Sequence, residues 1–177
     1  EHSSVSETLK YLETLGYEIS YVELDKNGFI NIQNLKSLIR DDTILVSICY
    51  VNSELGIKQN INEIGKILKQ YPKLIFHVDG TQALGKIDVD LSNIDLFSFS
   101  AHKFFGPKGI GCLIKKENFK LTPLFHGGKS DSIYRSGTPA LPLIVSLSKA
   151  LRIALNNLDN KYNHVKKLNE FIIDNFK

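Results

Sequence analysis

Methionine is missing from the 177-residue chain, which opens on Glu1, and both features point to a segment of a longer translation product. Cysteine is scarce: only Cys49 in "ILVSICYV" and Cys112 in "GIGCLIKK". Both sit in strand-like apolar runs without an activating neighbour. They read as small core residues in a reducing cytoplasm, not as a disulfide or a reactive thiol. No apolar run approaches the ~20 residues that a membrane-spanning helix needs. Nor does a basic, then apolar, then small-residue signal open the chain. Charge of one sign is also thin. The net charge is +3 with the lysines scattered, and no basic tract alternates with aromatics, which argues against nucleic acid as a partner.

What remains is the composition of a soluble globular protein, long enough for one domain with a real core and short for two. Hydrophobic periodicity alternates between two regimes. "SVSETLKYLETLG" has a helical spacing, with Ser4 and Glu7 as a capping pair and Gly16 as its stop. "YEISYVEL" alternates like a half-buried strand. The "DKNG" turn leads to a short helix around "IQNLKSLIR". "TILVSICYV", Thr43 to Val51, is nearly all apolar and suits a strand covered on both faces. A helix follows in "NINEIGKILKQY", closed by Pro72, then buried strands in "KLIFHV" and "IDLFSFS" and a further strand in "GIGCLIKK". After a loop-rich stretch, two amphipathic helices span roughly 143–158 and 161–176. Strands alternating with helices predict an α/β fold, a three-layer αβα arrangement with a mainly parallel sheet. A boundary near Asn157–Asn160 divides residues 1–157 from the start of a second domain at 158–177.

In open α/β sheets, ligands bind outside the carboxyl ends of the strands. Three buried strands here end in polar side chains: Asn52 with Glu54; Asp79 then Gln82; and Ser100, His102 and Lys103. Each has a plainer reading. Asp79 before Gly80 and Thr81 can simply open a turn, His102 can be a satisfied core histidine, and Lys103 can snorkel outward. "GPKGIG" is not a phosphate loop, because Lys108 precedes Gly109 and the chain continues into a strand. No dinucleotide fingerprint opens a helix. A metal site from His77, Asp79 and His102 is a rival reading, since residues 77 and 79 share a strand face. Lys103 beside it would repel a cation, so it ranks last. A lysine, an aspartate and a histidine at neighbouring strand ends suit pyridoxal phosphate. Its aldehyde bonds a lysine amine, a buried carboxylate keeps its ring nitrogen protonated, and its phosphate wants hydroxyls and imidazole. The apolar strand before Lys103 predicts a semi-dry setting for that amine.

"FHVDGTQALGKIDVDLSNIDLFSFSAHKFFGPKGIGCLI" closely resembles the core of the cysteine desulfurases, class V aminotransferases of fold type I. "EHSSV", "VNSELG" and "YRSGTP" match that family's other landmarks in order. The resemblance implies that Lys103 holds the cofactor covalently and moves protons at the substrate. Asp79 would pair with the ring nitrogen, Gln82 would bond the phenolic oxygen, and Asn52 would lie near that oxygen and the substrate carboxylate. His2 would stack on the ring and assist acid–base steps. Ser100 and His102 would bind the phosphate, joined by Thr138 from the other subunit of a homodimer. The implied reaction takes sulfur from L-cysteine, leaving alanine and an enzyme persulfide for a sulfur-acceptor protein in iron–sulfur assembly or tRNA thiolation. The family's sulfur-accepting cysteine and substrate-carboxylate arginine lie on later segments, matched by neither Cys49 nor Cys112, and its earlier phosphate turn would precede Glu1. Lys129-Ser130-Asp131 stand where a glutamine–glutamate pair is common. A selenocysteine lyase or another class V enzyme is the alternative within the family. A non-catalytic folding or binding fragment is the alternative outside it.

Overall fold

The computed structural model of the chain describes residues 1–128 and 132–176, so Lys129-Ser130-Asp131 lie outside the described residues. Its elements in order are helix α1 (Ser3–Thr14), helix α2 (Ile32–Leu38), strand β1 (Leu45–Cys49), helix α3 (Ile61–Leu68), strand β2 (Ile75–Asp79) and strand β3 (Leu96–Ser100). A 3-10 turn (Ala101–Phe104), strand β4 (Gly111–Lys115) and helices α4 (Leu141–Asn156) and α5 (Leu158–Asn175) follow. The sheet order is β1-β2-β3-β4, with β1·β2 and β2·β3 parallel. The link from Ser100 to Gly111 is shorter than the dozen or so residues that a parallel crossover needs, so β4 turns back. The expected α/β fold with a mainly parallel sheet and flanking helices is what the chain adopts.

Two compact units divide the chain: Glu1–Gln82 with Asp90–Ser98, and Ala83–Val89 with Phe99–Lys177. The first has the deeper core, with Leu35, Ile48, Ile61, Ile64, Leu68, Phe76, Val78 and Phe97 all buried. Helix α3 supplies Ile61, Ile64 and Leu68 from one face, at the spacing of an amphipathic helix. Register in this unit aligns Cys49, Asp79 and Ser98 in a single row across β1, β2 and β3. In the second unit Phe99, Ala101, Phe104 and Ala154 are buried, and α4 packs against the 3-10 turn. Helix α5 buries no residue.

Three local expectations change. The cap of α1 is His2, whose Nδ1 accepts the Ser4 N–H, while Glu7 pairs with Lys10 instead of closing a capping box. The C-terminus behaves as read: Gly16 takes φ +91°, and the amides of Gly16 and Tyr17 bond the carbonyls of Glu13 and Leu12. "YEISYVEL" forms no strand beyond a single bridge, Leu24 to Ile30. No strand among the described residues runs beside it. Its backbone is answered locally instead: the Glu23 N–H bonds Asn34 Oδ1, and the Glu23 carbonyl takes the Asn31 N–H. Strand β1 is less covered than its apolar run predicts, for Leu45 stays exposed and Ile48 alone is fully buried in it.

Behind Asp79 the backbone runs flush against Phe97. A Cβ added at Gly80 would lie 1.8 Å from Phe97 Cζ, with two more ring atoms within 2.6 Å. Substituting Gly80→Ala should therefore destabilise the protein by about 1–3 kcal/mol or more through overpacking, read as a lowered denaturation midpoint in urea.

Candidate active site

Val78 and Phe76 point into the core, so strand alternation sends His77 and Asp79 to the opposite face. Asp79 is nonetheless buried, at 7% exposure. Its Oδ1 accepts the Thr81 N–H at 2.9 Å, so the turn-opening role is real and fixes the carboxylate where the strand ends. Gln82 is half-buried just beyond it. At the end of β1, Asn52 Oδ1 accepts the amides of Glu54 and Leu55 at 3.0 and 2.8 Å. Its carbonyl oxygen is thus committed to the turn, and Nδ2 is the group it can offer a ligand. Glu54 enters through its backbone amide.

His2 lies in the same unit. Its Nδ1 sits 3.1 Å from the Ser4 amide and 2.9 Å from Ser4 Oγ. While Nδ1 accepts a backbone N–H, the neutral ring carries its proton on Nε2, which is the donor it presents. The Glu1 carboxylate accepts the Cys49 N–H at 2.7 Å and ties this segment to the row that holds Asp79. The Glu1 residue is exposed, yet desolvation of its carboxyl pushes it up against the opposing pull of the chain's amino terminus and the Cys49 N–H, with Asp79 adding a minor like-charge push. The same surroundings push the Cys49 thiol up to about 11, by burial first and then by the charges of Glu1 and Asp79.

In the second unit, Ser100 ends β3 half-buried, and its hydroxyl does not cap the turn that follows. Within the turn Ala101 and Phe104 are buried, Phe104 stacking at a tilt 5.9 Å from Phe99. A 3-10 turn brings positions i and i+3 to one side, so the two middle residues, His102 and Lys103, face outward. Both are exposed. The expected semi-dry setting of Lys103 is therefore not provided by burial, because the apolar residues around it face the core. Nearby, the Lys86 amine is pushed down by burial first and by Lys103 second. Thr138 is exposed in the loop after Gly137.

The structure thus gathers the Glu1–His2 segment with Asp79 in one unit, and Ser100, His102 and Lys103 on a single short segment in the other. No cluster of three or more metal-ligating side chains occurs among the described residues. His77 is otherwise engaged: its Nδ1 meets Ser47 Oγ at 2.8 Å and its Nε2 meets Ser98 Oγ at 3.0 Å. That chain and Lys86 were missed from sequence. Period-two alternation marks which residues share a face, but only the register says which meet.

The chemistry of these groups suits pyridoxal phosphate: an anchored buried carboxylate, an uncommitted serine hydroxyl, an imidazole, and an amine on a projecting turn. Residues 1–177 match the family model "Aminotransferase class-V". The chain is 43% identical over 177 residues to "Cysteine desulfurase IscS" of Neisseria meningitidis serogroup C (strain 053442), covering 98% of this chain and 44% of that protein. It spans less than half the length of that curated relative. Among solved structures it superposes on a "NIFS-LIKE PROTEIN" with TM-score 0.94 at 38% identity, over 98% of this chain and 48% of the other. It also superposes on "SspA in complex with cysteine" with TM-score 0.81 at 39% identity, over 86% and 45%. The chain belongs to the class-V aminotransferase family.

Proposed function

We propose that this chain is the cofactor-binding portion of a pyridoxal-phosphate-dependent cysteine desulfurase, which takes sulfur from L-cysteine and leaves alanine. The observation that carries the reading is Asp79: a buried carboxylate at the carboxyl end of a parallel strand, held by the Thr81 amide. A fixed, desolvated anion is what a protonated ring nitrogen requires as its partner. The bound group supplies an electron sink for the substrate's breaking bonds. The chain's own residues do the rest. Lys103 would hold the group covalently and would move protons at the substrate. Gln82 and the Asn52 Nδ2 would offer hydrogen bonds to its phenolic oxygen. Ser100 and His102 would hold its phosphate, joined by Thr138 from a second copy in a homodimer. His2 would stack on its ring and assist acid–base steps.

Residues 1–157 form the cofactor-binding portion and 158–177 lead into a smaller domain. No described helix is long and apolar enough to cross a membrane, and we place the protein in the cytoplasm, handing sulfur to an acceptor for iron–sulfur assembly or tRNA thiolation. Cys49 does not suit sulfur acceptance, because burial pushes its thiol up to about 11 and leaves little thiolate; Cys112, read above as a core residue, is exposed, and its thiol too is pushed up, by partial desolvation. The chain by itself should therefore release no sulfide from cysteine above a Lys103→Ala control.

Two measurements check this reading. Borohydride reduction of the full-length protein with added pyridoxal phosphate should fix the cofactor on the peptide containing Lys103, and Lys103→Ala should abolish the adduct. Labelling elsewhere, with Lys103 unmodified, would defeat the assignment. Alkylation at pH 8 should proceed about a hundredfold more slowly at Cys49 than at an unperturbed thiol, because its pKa rises from 9.0 to about 11.

A further inference from the structure

His2 is held to helix α1 by its ring and by its backbone. The ring Nδ1 sits 3.1 Å from the Ser4 amide and 2.9 Å from Ser4 Oγ. The His2 carbonyl accepts the N–H groups of Val5 and Ser6 at 2.9 and 3.1 Å. Imidazole and helix N-terminus therefore move as one piece. The core does little to seat that piece: α1 buries no residue, and Val5, Leu9 and Leu12 are only half-buried. An exposed imidazole on such a helix needs another tie if it is to keep a fixed place against the sheet.

Glu1 supplies that tie. Along a strand in a parallel ladder, successive amides point to opposite sides. The Tyr50 N–H reaches the Asp79 carbonyl on β2, so the Cys49 N–H faces away from β2, toward the edge of β1 where no described strand runs. The Glu1 carboxylate accepts that amide at 2.7 Å. Cys49 is the register partner of Asp79, so the bond sets the height of the His2 segment along the sheet at the row of the buried carboxylate. A single planar peptide unit joins Glu1 to His2, which leaves little slack between the anchor and the residue that carries the ring.

We propose that Glu1 is a positioning residue for His2, fixing through the Cys49 amide where the imidazole stands relative to the cofactor ring. The inference rests on the function proposed above for His2, and the test separates the two. In full-length protein, pyridoxal phosphate affinity is measured by equilibrium dialysis, the setting of the bound ring by visible circular dichroism, and fold by the melting temperature without cofactor. Glu1→Ala should weaken the affinity by about tenfold and alter the dichroic band, the scale expected for a hydrogen bond to a charged group. Glu1→Gln, whose amide oxygen still accepts the Cys49 N–H, should restore both. Because Glu1 acts through His2, adding Glu1→Ala to His2→Ala should change neither readout further. Additive losses in the double variant, or a Glu1→Ala variant that lowers only the melting temperature, would overturn the proposal. Should Glu1→Ala fail to fold, Glu1→Asp, one methylene shorter, decides by the same readouts. His2→Ala alone is the control on the underlying reading. Unchanged affinity and dichroism there would defeat the role of His2 and the proposal with it, whereas a loss there with none in Glu1→Ala defeats the proposal alone.

Discussion

Parallel pairing of β1, β2 and β3 is the constraint on which the chemistry depends. Parallel strands all finish at the same edge of a sheet, so any polar residue that ends one is brought toward the ends of its neighbours. In this chain the register is tight enough that Cys49, Asp79 and Ser98 stand in a row. Shifting β2 by one residue would exchange Asp79 with the buried Val78 and send the carboxylate into the core. The apolar residues on the buried face of β2 and β3, Phe76, Val78 and Phe97, are thus what keep the carboxylate on the other face.

At Asp79 the structural reading and the proposed functional one need not compete. Its Oδ1 is engaged by the Thr81 amide, as an ordinary turn-opening aspartate would be. That bond removes rotational freedom from the side chain before any ligand arrives, a form of preorganisation. Burial at 7% exposure then makes the charge worth more than it would be in water. Asn52 follows the same logic at the end of β1, with its carbonyl oxygen spent locally and its amide nitrogen presented outward.

Strand and helix order, the positions of Asn52, Asp79, Ser100 and Lys103 at strand ends, and the family itself were legible in the sequence. Long apolar runs and the spacing of "HVDGTQ" and "SAHKFFGPKG" are strong local signals. What escaped was everything set by neighbours. "YEISYVEL" has strand periodicity, but alternation cannot supply a partner strand, and Asn31 and Asn34 take its backbone instead. Ser4 and Glu7 have capping spacing, yet His2 lies two residues earlier and takes the cap. Lys103 follows an apolar strand, and the 3-10 turn after that strand rotates it outward. The Ser47–His77–Ser98 chain joins residues far apart in sequence, which only the sheet register brings into reach.

The 3-10 turn that carries Lys103 is pegged at both ends, by Ala101 against the core and by Phe104 against Phe99 and α4. Between the pegs the lysine stands free on a flexible four-carbon stem. The travel of its amine is therefore set by the length of one side chain and needs no movement of the backbone. Such an arm could release one bonding partner and take another while the scaffold beneath it stays still.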